Sequence, residues 1–367
     1  MKILQINKLY PPHLGGVENI VRDIAESLAA DRGWQSDVLV CQEKGKRSVE
    51  EIKGVKVYRA ASRGRLFSLP ISLDFFRLFK KISGEYDIIL IHHPFPLASL
   101  ARFFFSNKKT PVAVLYHSDI VRQKLFYWLV YPWLYLDLQS AQIIFVGSRR
   151  LAENSRLLKK FISKCQVIPF GVDRSAYQAD YASQVANLRA RHGRFMLAVG
   201  RLVYYKGYLS LLDALKTAPG KLLIIGTGPL ENKMRRIISE NRLADRVIII
   251  SDHPDNLVPY YQACEFLVFP SNARSEAFGL VQIEAMACGK PVINTDLPTG
   301  VPEVSLDKIS GLTVSVNDPA QLSEAIKSLW EDDDWRGKLG AGAKKRAAAN
   351  FSKAKFEASL KSALGRL

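Results

Sequence analysis

Cysteine and histidine are scarce in this 367-residue chain, four and six residues, and neither type is spaced for a metal. Cys41, Cys165, Cys264 and Cys288 lie in or beside apolar runs without metal-ligand spacing. That pattern predicts reduced core thiols of a cytosolic protein and no bound metal. No run of 18 uncharged apolar residues occurs, so no membrane-spanning helix is expected. The opening M-K-I-L-Q-I-N-K-L-Y-P-P is too short and too interrupted for a signal peptide, and reads as a first strand. Acidic side chains are outnumbered, 35 against 52 Lys and Arg, which leaves a net charge of +17. No helix-turn-helix, zinc-finger or RNA-binding-sheet signature accompanies that charge, so nucleic acid is not expected as a partner. Anionic lipid or a phosphorylated substrate would fit it.

The length allows two core-bearing domains. Residues 1–170 carry 26 Lys and Arg against 14 Asp and Glu, so most of the positive excess is in the first half. That half opens with a strand over 2–6, a proline-containing loop ending in Gly15-Gly16, and an amphipathic helix from Val17, Ile20, Val21, Ile24 and Leu28. Strands over 37–41, 55–59, 88–92, 112–117 and 143–146 follow, with helices over 73–82 and 98–105 and a basic helix over 149–164. Alternating strand and helix predicts a mostly parallel α/β sheet covered on both faces, with ligands at the carboxyl ends of its strands. Gly15 and Gly16 stand at such an end, where bare backbone N–H groups can approach a phosphate. His92, His93 and His117 stand at others.

Residues 125–138, L-F-Y-W-L-V-Y-P-W-L-Y-L-D-L, form the densest aromatic run. Two readings are open: a helix pair buried inside the domain, or an interfacial face in which Trp128 and Trp133 anchor to a headgroup layer. Arg122 and Lys124 are close by, and Arg63, Arg65, Arg77, Lys80, Lys81, Arg102, Lys108 and Lys109 belong to the same half.

The alternation restarts in the second half, with strands over 195–200, 221–225, 247–250, 266–269 and 291–294. Gly200, Arg201, Lys206 and Gly207 follow the first of these as G-R-x-x-x-x-K-G. Gly226-Thr227-Gly228-Pro229 follows the second, and it lacks the third glycine of a dinucleotide loop. Residues 270–291 supply the most informative stretch: a polar loop, Glu276, then Ala277, Phe278, Gly279 and Leu280 entering a short apolar helix that Gly289 and Pro291 stop. Glu284 lies about one turn inside that helix. Free N–H groups at its start and two carboxylates suit a ligand rich in hydroxyls or phosphates.

S-E-A-F-G-L-x-x-x-E-A-M-A-x-G-x-P-V-I, with Glu276 and Glu284 as an E-x7-E pair, resembles the signature of the retaining glycosyltransferases of family 4. G-G-V-E at 15–18, Y-H-S-D at 116–119, V-I-P-F-G-V-D at 167–173 and G-R-x-x-x-x-K-G also resemble that family, so the likeness covers almost the whole chain. It implies a GT-B fold of two Rossmann-like, doubly wound domains with the active site in the cleft between them. The domains would be residues 1–170 on the acceptor side, 171–345 for the nucleotide-sugar, and 346–367 as a helix returning to the first domain. It also implies residue roles. Glu276 would bind donor-sugar hydroxyls and Glu284 the ribose. Arg201 and Lys206, beside Gly200, would hold the diphosphate. Gly15 and Gly16 would touch the phosphates, His117 the sugar, and Gly226 and Gly228 the nucleotide. Asp252 and His253 lie where the family holds the base.

P-T-G-V-P-E-V at 298–304, with Thr299 where many members have glycine, leans the likeness toward mannosyltransferases of lipopolysaccharide O-antigen or polysaccharide assembly. The implied reaction is metal-independent, cofactor-free transfer of mannose from GDP-mannose to a lipid-linked glycan. It would take place at the anionic inner face of the cytoplasmic membrane. A UDP-sugar donor, or a GT-B epimerase or phosphorylase, is the alternative enzyme. A non-catalytic binding module would be expected to lack Glu276, Arg201 or Lys206, and all three are present.

Overall fold

The computed structural model of the protein describes all residues except Leu14, 67–68, 106–109, 121–123 and His253; for residues 124–127 it describes the backbone alone. The chain forms two compact units. One holds Met1–Ile168 and Glu357–Leu367, the other Pro169–Phe356.

The first unit is built on an eight-stranded sheet of β1 (Lys2–Ile6), β2 (Gln35–Cys41), β3 (Ser48–Ile52), β4 (Val55–Ala60), β5 (Ile88–His93), β6 (Val112–Tyr116), β7 (Ile143–Val146) and β8 (Cys165–Val167). Their order is β8-β7-β6-β5-β1-β2-β4-β3. The central strands are apolar runs such as I-I-L-I-H-H, buried along their whole length, as helices on both faces of a parallel sheet require. From β1 the chain builds outward through β2 and β4, then crosses to lay β5 on the other side of β1. The strand order therefore reverses between β1 and β5, where a doubly wound sheet opens a crevice at its carboxyl ends. Helix α1 (Gly16–Ala29) covers one face with Ile20, Val21, Ile24, Ala25 and Leu28.

β3 was not expected. It is the one antiparallel strand among the eight described in this sheet, joined to β4 through Lys53 and Gly54, both at positive φ. Its residues S-V-E-E-I are mostly exposed on a sheet edge, so no apolar run marks it. The expected basic helix over 149–164 is two pieces, Arg149–Asn154 and a 3-10 helix Leu158–Lys164. Ser155 breaks it in extended conformation and donates to Asp119 at 2.6 Å.

The aromatic run forms one helix, not a pair: α4 (Lys124–Ser140) continues through Pro132. Pro132 lies on the exposed side, where water can satisfy the carbonyl one turn back. Val130, Leu134, Asp137 and Leu138 point inward, while Trp128 is 70% and Leu129 69% exposed. The side chains of 125–127 are outside the described set. α3 (Pro96–Phe105) packs beside α2 (Asp74–Ile82) and α4 and exposes Phe103, Phe104 and Phe105. The Trp133 ring lies 5.1 Å from Phe103 and 5.9 Å from Phe104, so an aromatic patch spans both helices. Beneath it the buried Asp137 carboxylate pairs with Arg102 and accepts from Ser99 Oγ at 3.0 Å.

The second unit carries a six-stranded parallel sheet of β9 (Met196–Val199), β10 (Leu222–Ile225), β11 (Val247–Ile250), β12 (Leu267–Phe269), β13 (Val292–Thr295) and β14 (Gly311–Val314), ordered β11-β10-β9-β12-β13-β14. Here the order reverses between β9 and β12. Met196, Ala198, Ile224, Val268 and Ile293 build the core with Leu211, Leu212 and Ile326 from the helices. β14 was also unforeseen, because G-L-T-V offers two apolar residues and a glycine. Helix α7 (Asp333–Asn350) stays with this unit: Leu339 enters its core, and Gly340 lies so close to the Gly289 carbonyl that a Cβ would approach it to 2.5 Å. A last helix, α8 (Lys353–Leu364), ends in the first unit, where Lys361 pairs with Asp31.

Asp137→Ala leaves the Arg102 guanidinium, itself mostly buried, without its counter-charge. Breaking a buried pair this way costs about 3–5 kcal/mol. A corresponding fall in the urea midpoint of the full chain is expected; an unchanged midpoint would remove Asp137 as the clamp between α3 and α4.

Candidate active site

In the second unit the loops after β9 and β12 meet at the strand reversal. The first carries Gly200 and Arg201, a 3-10 turn Tyr204–Lys206, and Gly207 in left-handed conformation at φ 70°, which starts helix α5 (Tyr208–Ala214). A Cβ on Gly207 would lie 1.8 Å from the Pro270 carbonyl oxygen, so only glycine allows the loops to approach this closely. The Asn272 amide donates to the Tyr205 carbonyl at 2.8 Å and ties them. Lys206 Nζ is thereby held 2.7 Å from Glu276 Oε2, with the two side chains 13% and 11% exposed. Ser271 Oγ donates to the same carboxylate at 3.3 Å, and the ammonium lies 4.8 Å from the Phe269 ring centroid. The Arg201 side chain is exposed and makes no hydrogen bond or ion pair among the described residues, while its carbonyl accepts from the Val203 amide at 2.8 Å. One cation is thus matched and the other unmatched.

Glu276 leads into α6 (Leu280–Ala287) through the buried Ala277 and Phe278 and through Gly279, a left-handed N-cap at φ 83°. Gln282 donates to the carbonyls of Phe278 and Val301, at 2.9 and 3.2 Å, and fixes this entry. Glu284, fifth in α6, accepts from the Tyr261 hydroxyl at 2.6 Å. Burial first, and then the Glu284 charge, push the Tyr261 phenol well above its usual range, so it stays a donor. Tyr261 was missed, and its sequence context carried no signal for this role. Gly226 and Gly228 serve close packing onto backbone: a Cβ would meet the Gly200 oxygen at 2.1 Å and the Leu202 oxygen at 2.5 Å. Thr299 is fully buried, and its hydroxyl has no hydrogen-bond partner. The next residue, Gly300, donates its amide to the Ala277 carbonyl at 2.8 Å. Asp252 is exposed, and His253 lies outside the described residues.

In the first unit the carboxyl ends of β1, β5 and β6 gather a second group. His92 Nδ1 and His117 Nε2 are 2.9 Å apart, and His92 Nε2 is 2.9 Å from Gln5 Oε1. His93, on the opposite face, stacks on Tyr116 at 5.1 Å, and both its ring nitrogens are buried without a partner. Burial, reinforced by the Lys8 charge, pushes His93 and His117 down to about 3. Burial, with a smaller push from His117, lowers His92 as well. All three imidazoles are neutral at physiological pH. Gln5 was missed, although a glutamine in the middle of K-I-L-Q-I is a polar residue in a buried strand and a readable signal. At the start of α1 the two glycines differ. Gly16 has open space around it, whereas a Cβ on Gly15 would meet the Glu18 carboxylate at 2.1 Å.

Residues 14–176 match the family model Glycosyltransferase Family 4, and residues 183–346 match Glycosyl transferases group 1. The chain is 33% identical to O-antigen chain mannosyltransferase C of Escherichia coli, over 96% of this chain and 95% of that one. It is 31% identical to D-rhamnosyltransferase WbpZ of Pseudomonas aeruginosa, over 96% and 92%. The chain belongs to the family 4 glycosyltransferases. The crystal structure of HepE from Anabaena in complex with UDP and glucose superposes with a TM-score of 0.82 at 20% identity, covering all of both chains. The glycosyltransferase thus has the GT-B fold, two Rossmann-like units. No group of three His, Cys, Asp or Glu side chains able to hold a metal occurs among its described residues.

Gly207→Ala adds a methyl where the Pro270 carbonyl stands and holds a non-glycine residue at positive φ. The strained backbone alone costs about 1–3 kcal/mol. The variant should unfold at lower urea by at least that amount; wild-type stability would show that the two loops do not depend on this approach.

Proposed function

We propose that this glycosyltransferase transfers mannose from GDP-mannose, with retention and without a metal, to a lipid-linked oligosaccharide in cell-surface polysaccharide or lipopolysaccharide assembly. The observation that carries the reading is the Lys206–Glu276 pair at the β9/β12 reversal, with the unpartnered Arg201 on the same loop. Cations there take over the charge of a diphosphate leaving group, and such electrostatic stabilisation is often the largest catalytic contribution. Arg201 and Lys206 hold the diphosphate. Glu276, released from Lys206 by that competing anion, accepts from sugar hydroxyls. Glu284 takes the ribose, the N–H groups from Ala277 to Leu280 and at Gly16 take further oxygens, and His117 takes a sugar hydroxyl. The bond from the anomeric carbon to the phosphate oxygen breaks. The acceptor hydroxyl bonds to that carbon from the same face, and its proton passes to the departing phosphate oxygen.

The mannosyltransferase relative supports the donor sugar, and its place in the O-antigen chain supports a role in cell-surface polysaccharide assembly. The UDP and glucose in the HepE structure favour a UDP-sugar as the second reading. Nucleotide release from GDP-mannose and UDP-glucose, measured with EDTA present, separates the two. GDP-mannose should be cleaved, and Arg201→Ala or Lys206→Ala should lower turnover about 10²–10³-fold, the scale of one lost transition-state donor. Near-normal turnover in the folded double variant, or activity restored only by Mg²⁺ or Mn²⁺, would overturn this mechanism.

The acceptor's lipid places the reaction at an anionic bilayer surface, at the inner face of the cytoplasmic membrane. No helix among the described residues is long and apolar enough to cross a membrane. The exposed rings of Phe103, Phe104 and Trp128, in the half that carries most of the basic excess, support docking from outside the bilayer. Basic residues near anionic lipid gain roughly 1 kcal/mol each. The full chain should sediment with anionic vesicles at low salt and detach as salt is raised. Phe104→Ser with Trp128→Ser should weaken that binding; equal partition into neutral and anionic vesicles, or none, rules the docking out.

A further inference from the structure

Two amide side chains lie buried beside the entry to α6. Gln282 interrupts the apolar run of α6 and Asn294 that of β13, and both are fully buried. Asn294 Nδ2 donates to Gln282 Oε1 at 3.0 Å and to the carbonyls of Val301 and Ser305, at 3.1 and 3.0 Å. Asn294 Oδ1 accepts from Thr313 Oγ1 at 2.8 Å, across a register pair that joins β13 to β14. Gln282 Nε2 donates in turn to the carbonyls of Phe278 and Val301. Turning either amide over would set carbonyl oxygen against carbonyl oxygen, so both orientations are fixed. The two amides are fully paired, as buried polar groups must be, yet apolar side chains would fill the same space without that demand.

The pair sets backbone direction. In a trans peptide unit the C=O and the N–H point opposite ways. Gln282 holds the Phe278 carbonyl, so the Gly279 N–H points away from Gln282. Asn294 grips the carbonyls at Val301 and Ser305, the start and the far end of the helical turn Val301–Val304. Gly300, just before that turn, donates to the Ala277 carbonyl at 2.8 Å, so the Phe278 N–H points away from Gly300. The N–H groups of Phe278 and Gly279 donate to no acceptor among the described residues, although Phe278 is itself buried. The Thr299 hydroxyl, in the loop that Asn294 anchors, is buried without a partner as well. Unpaired buried groups beside a fully paired hub are groups that a ligand would complete. We propose that Gln282 and Asn294 are positioning residues: they turn two successive peptide units so that the Phe278 and Gly279 N–H groups stay clear of the protein's own carbonyls and take an oxygen of the phosphate next to the donor sugar. This rests on the reading of the N–H groups from Ala277 to Leu280 as contacts for donor oxygens.

Calorimetry on the full chain with GDP and GMP, and with UDP and UMP, compares each nucleotide with and without that second phosphate. Gln282→Met keeps the length of the side chain and removes its donor. It should lower affinity for the diphosphate about tenfold, the scale of one hydrogen bond to a charged group, and leave the monophosphate bound as by the wild type. Equal weakening of both, which a merely loosened fold would give, overturns the proposal, and so does an unchanged diphosphate affinity. Thr313→Val leaves both amides in place and removes only the donor that fixes Asn294. It should show the same contrast, and wild-type affinities in it overturn the proposal even if Gln282→Met does not fold. The sequence Ala-Phe occurs once in the chain, at 277–278. Labelling with carbonyl-¹³C alanine and ¹⁵N phenylalanine therefore isolates the Phe278 amide, whose resonance should shift on adding the diphosphate and not the monophosphate. No shift in the wild type would remove the reading of these N–H groups as ligand contacts. A shift there with unchanged affinities in the variants would overturn the positioning role alone, so the two failures are distinguishable.

Discussion

The second unit's site depends on one close approach, that of the Gly207 α-carbon to the Pro270 carbonyl. Parallel strands β9 and β12 are neighbours in the sheet but seventy residues apart in the chain, and both release their loops at the same end. Nothing larger than hydrogen fits between those loops. The constraint brings Lys206 onto Glu276, and the Asn272–Tyr205 backbone bond holds the register. Glu276 is thus kept at low exposure beside a counter-charge, where a carboxylate without a partner would be costly. A ligand that is anionic at one end and hydroxylated at the other can split this pair by giving each partner a substitute.

Much of this was legible where the signal is local. Strand β1, the glycine turn and α1 follow one another within 29 residues, and apolar runs mark most of the parallel strands. The loop, Gly279 and the apolar turn of α6 mark Glu276 and Glu284 as a motif. The pairing of Lys206 with Glu276 was not legible, because it follows from strand order and from a steric exclusion at Gly207 that no spacing reveals. Tyr261 reaches Glu284 from a separate short helix, and Gln5 reaches His92 across 87 residues. Sequence can flag such a polar residue in an apolar strand, but not name its partner. The edge strand β3 escaped because an edge need not be apolar. α4 escaped as a single helix because it is apolar nearly all round, which hides the inward stripe of Val130, Leu134 and Leu138 that packing selects.

The aromatic patch follows from the same physics. A helix apolar all round must bury its second face or leave it exposed. α4 is fixed through Asp137 to Arg102 and Ser99 on α3, and through Tyr131 and Tyr135 to Lys160 and Phe161, and the rings of Trp128, Phe103 and Phe104 remain outside. The buried charge beneath the patch acts as its anchor: it orients α3 against α4 without drawing the aromatic side inward.

The two units offer chemically different groups. The second presents charge: a matched ammonium, an unmatched guanidinium and two carboxylates, one of which has an ammonium partner and the other a phenol. The first presents neutral hydrogen-bonding groups, three imidazoles held uncharged by burial and a glutamine, although its part of the sequence is the more basic. Lys8 is the cation whose charge reaches His93 and His117, and it helps to keep them uncharged. Neutral donors and acceptors discriminate hydroxyls by direction, because each nitrogen or oxygen can only donate or only accept once its neighbour is fixed. Ionised groups bind diphosphate strongly but with little directional choice. A transferase has to release a charged leaving group and to select among hydroxyls of nearly equal reactivity. Placing the charged set and the neutral set on different sheets lets each be tuned without disturbing the protonation of the other.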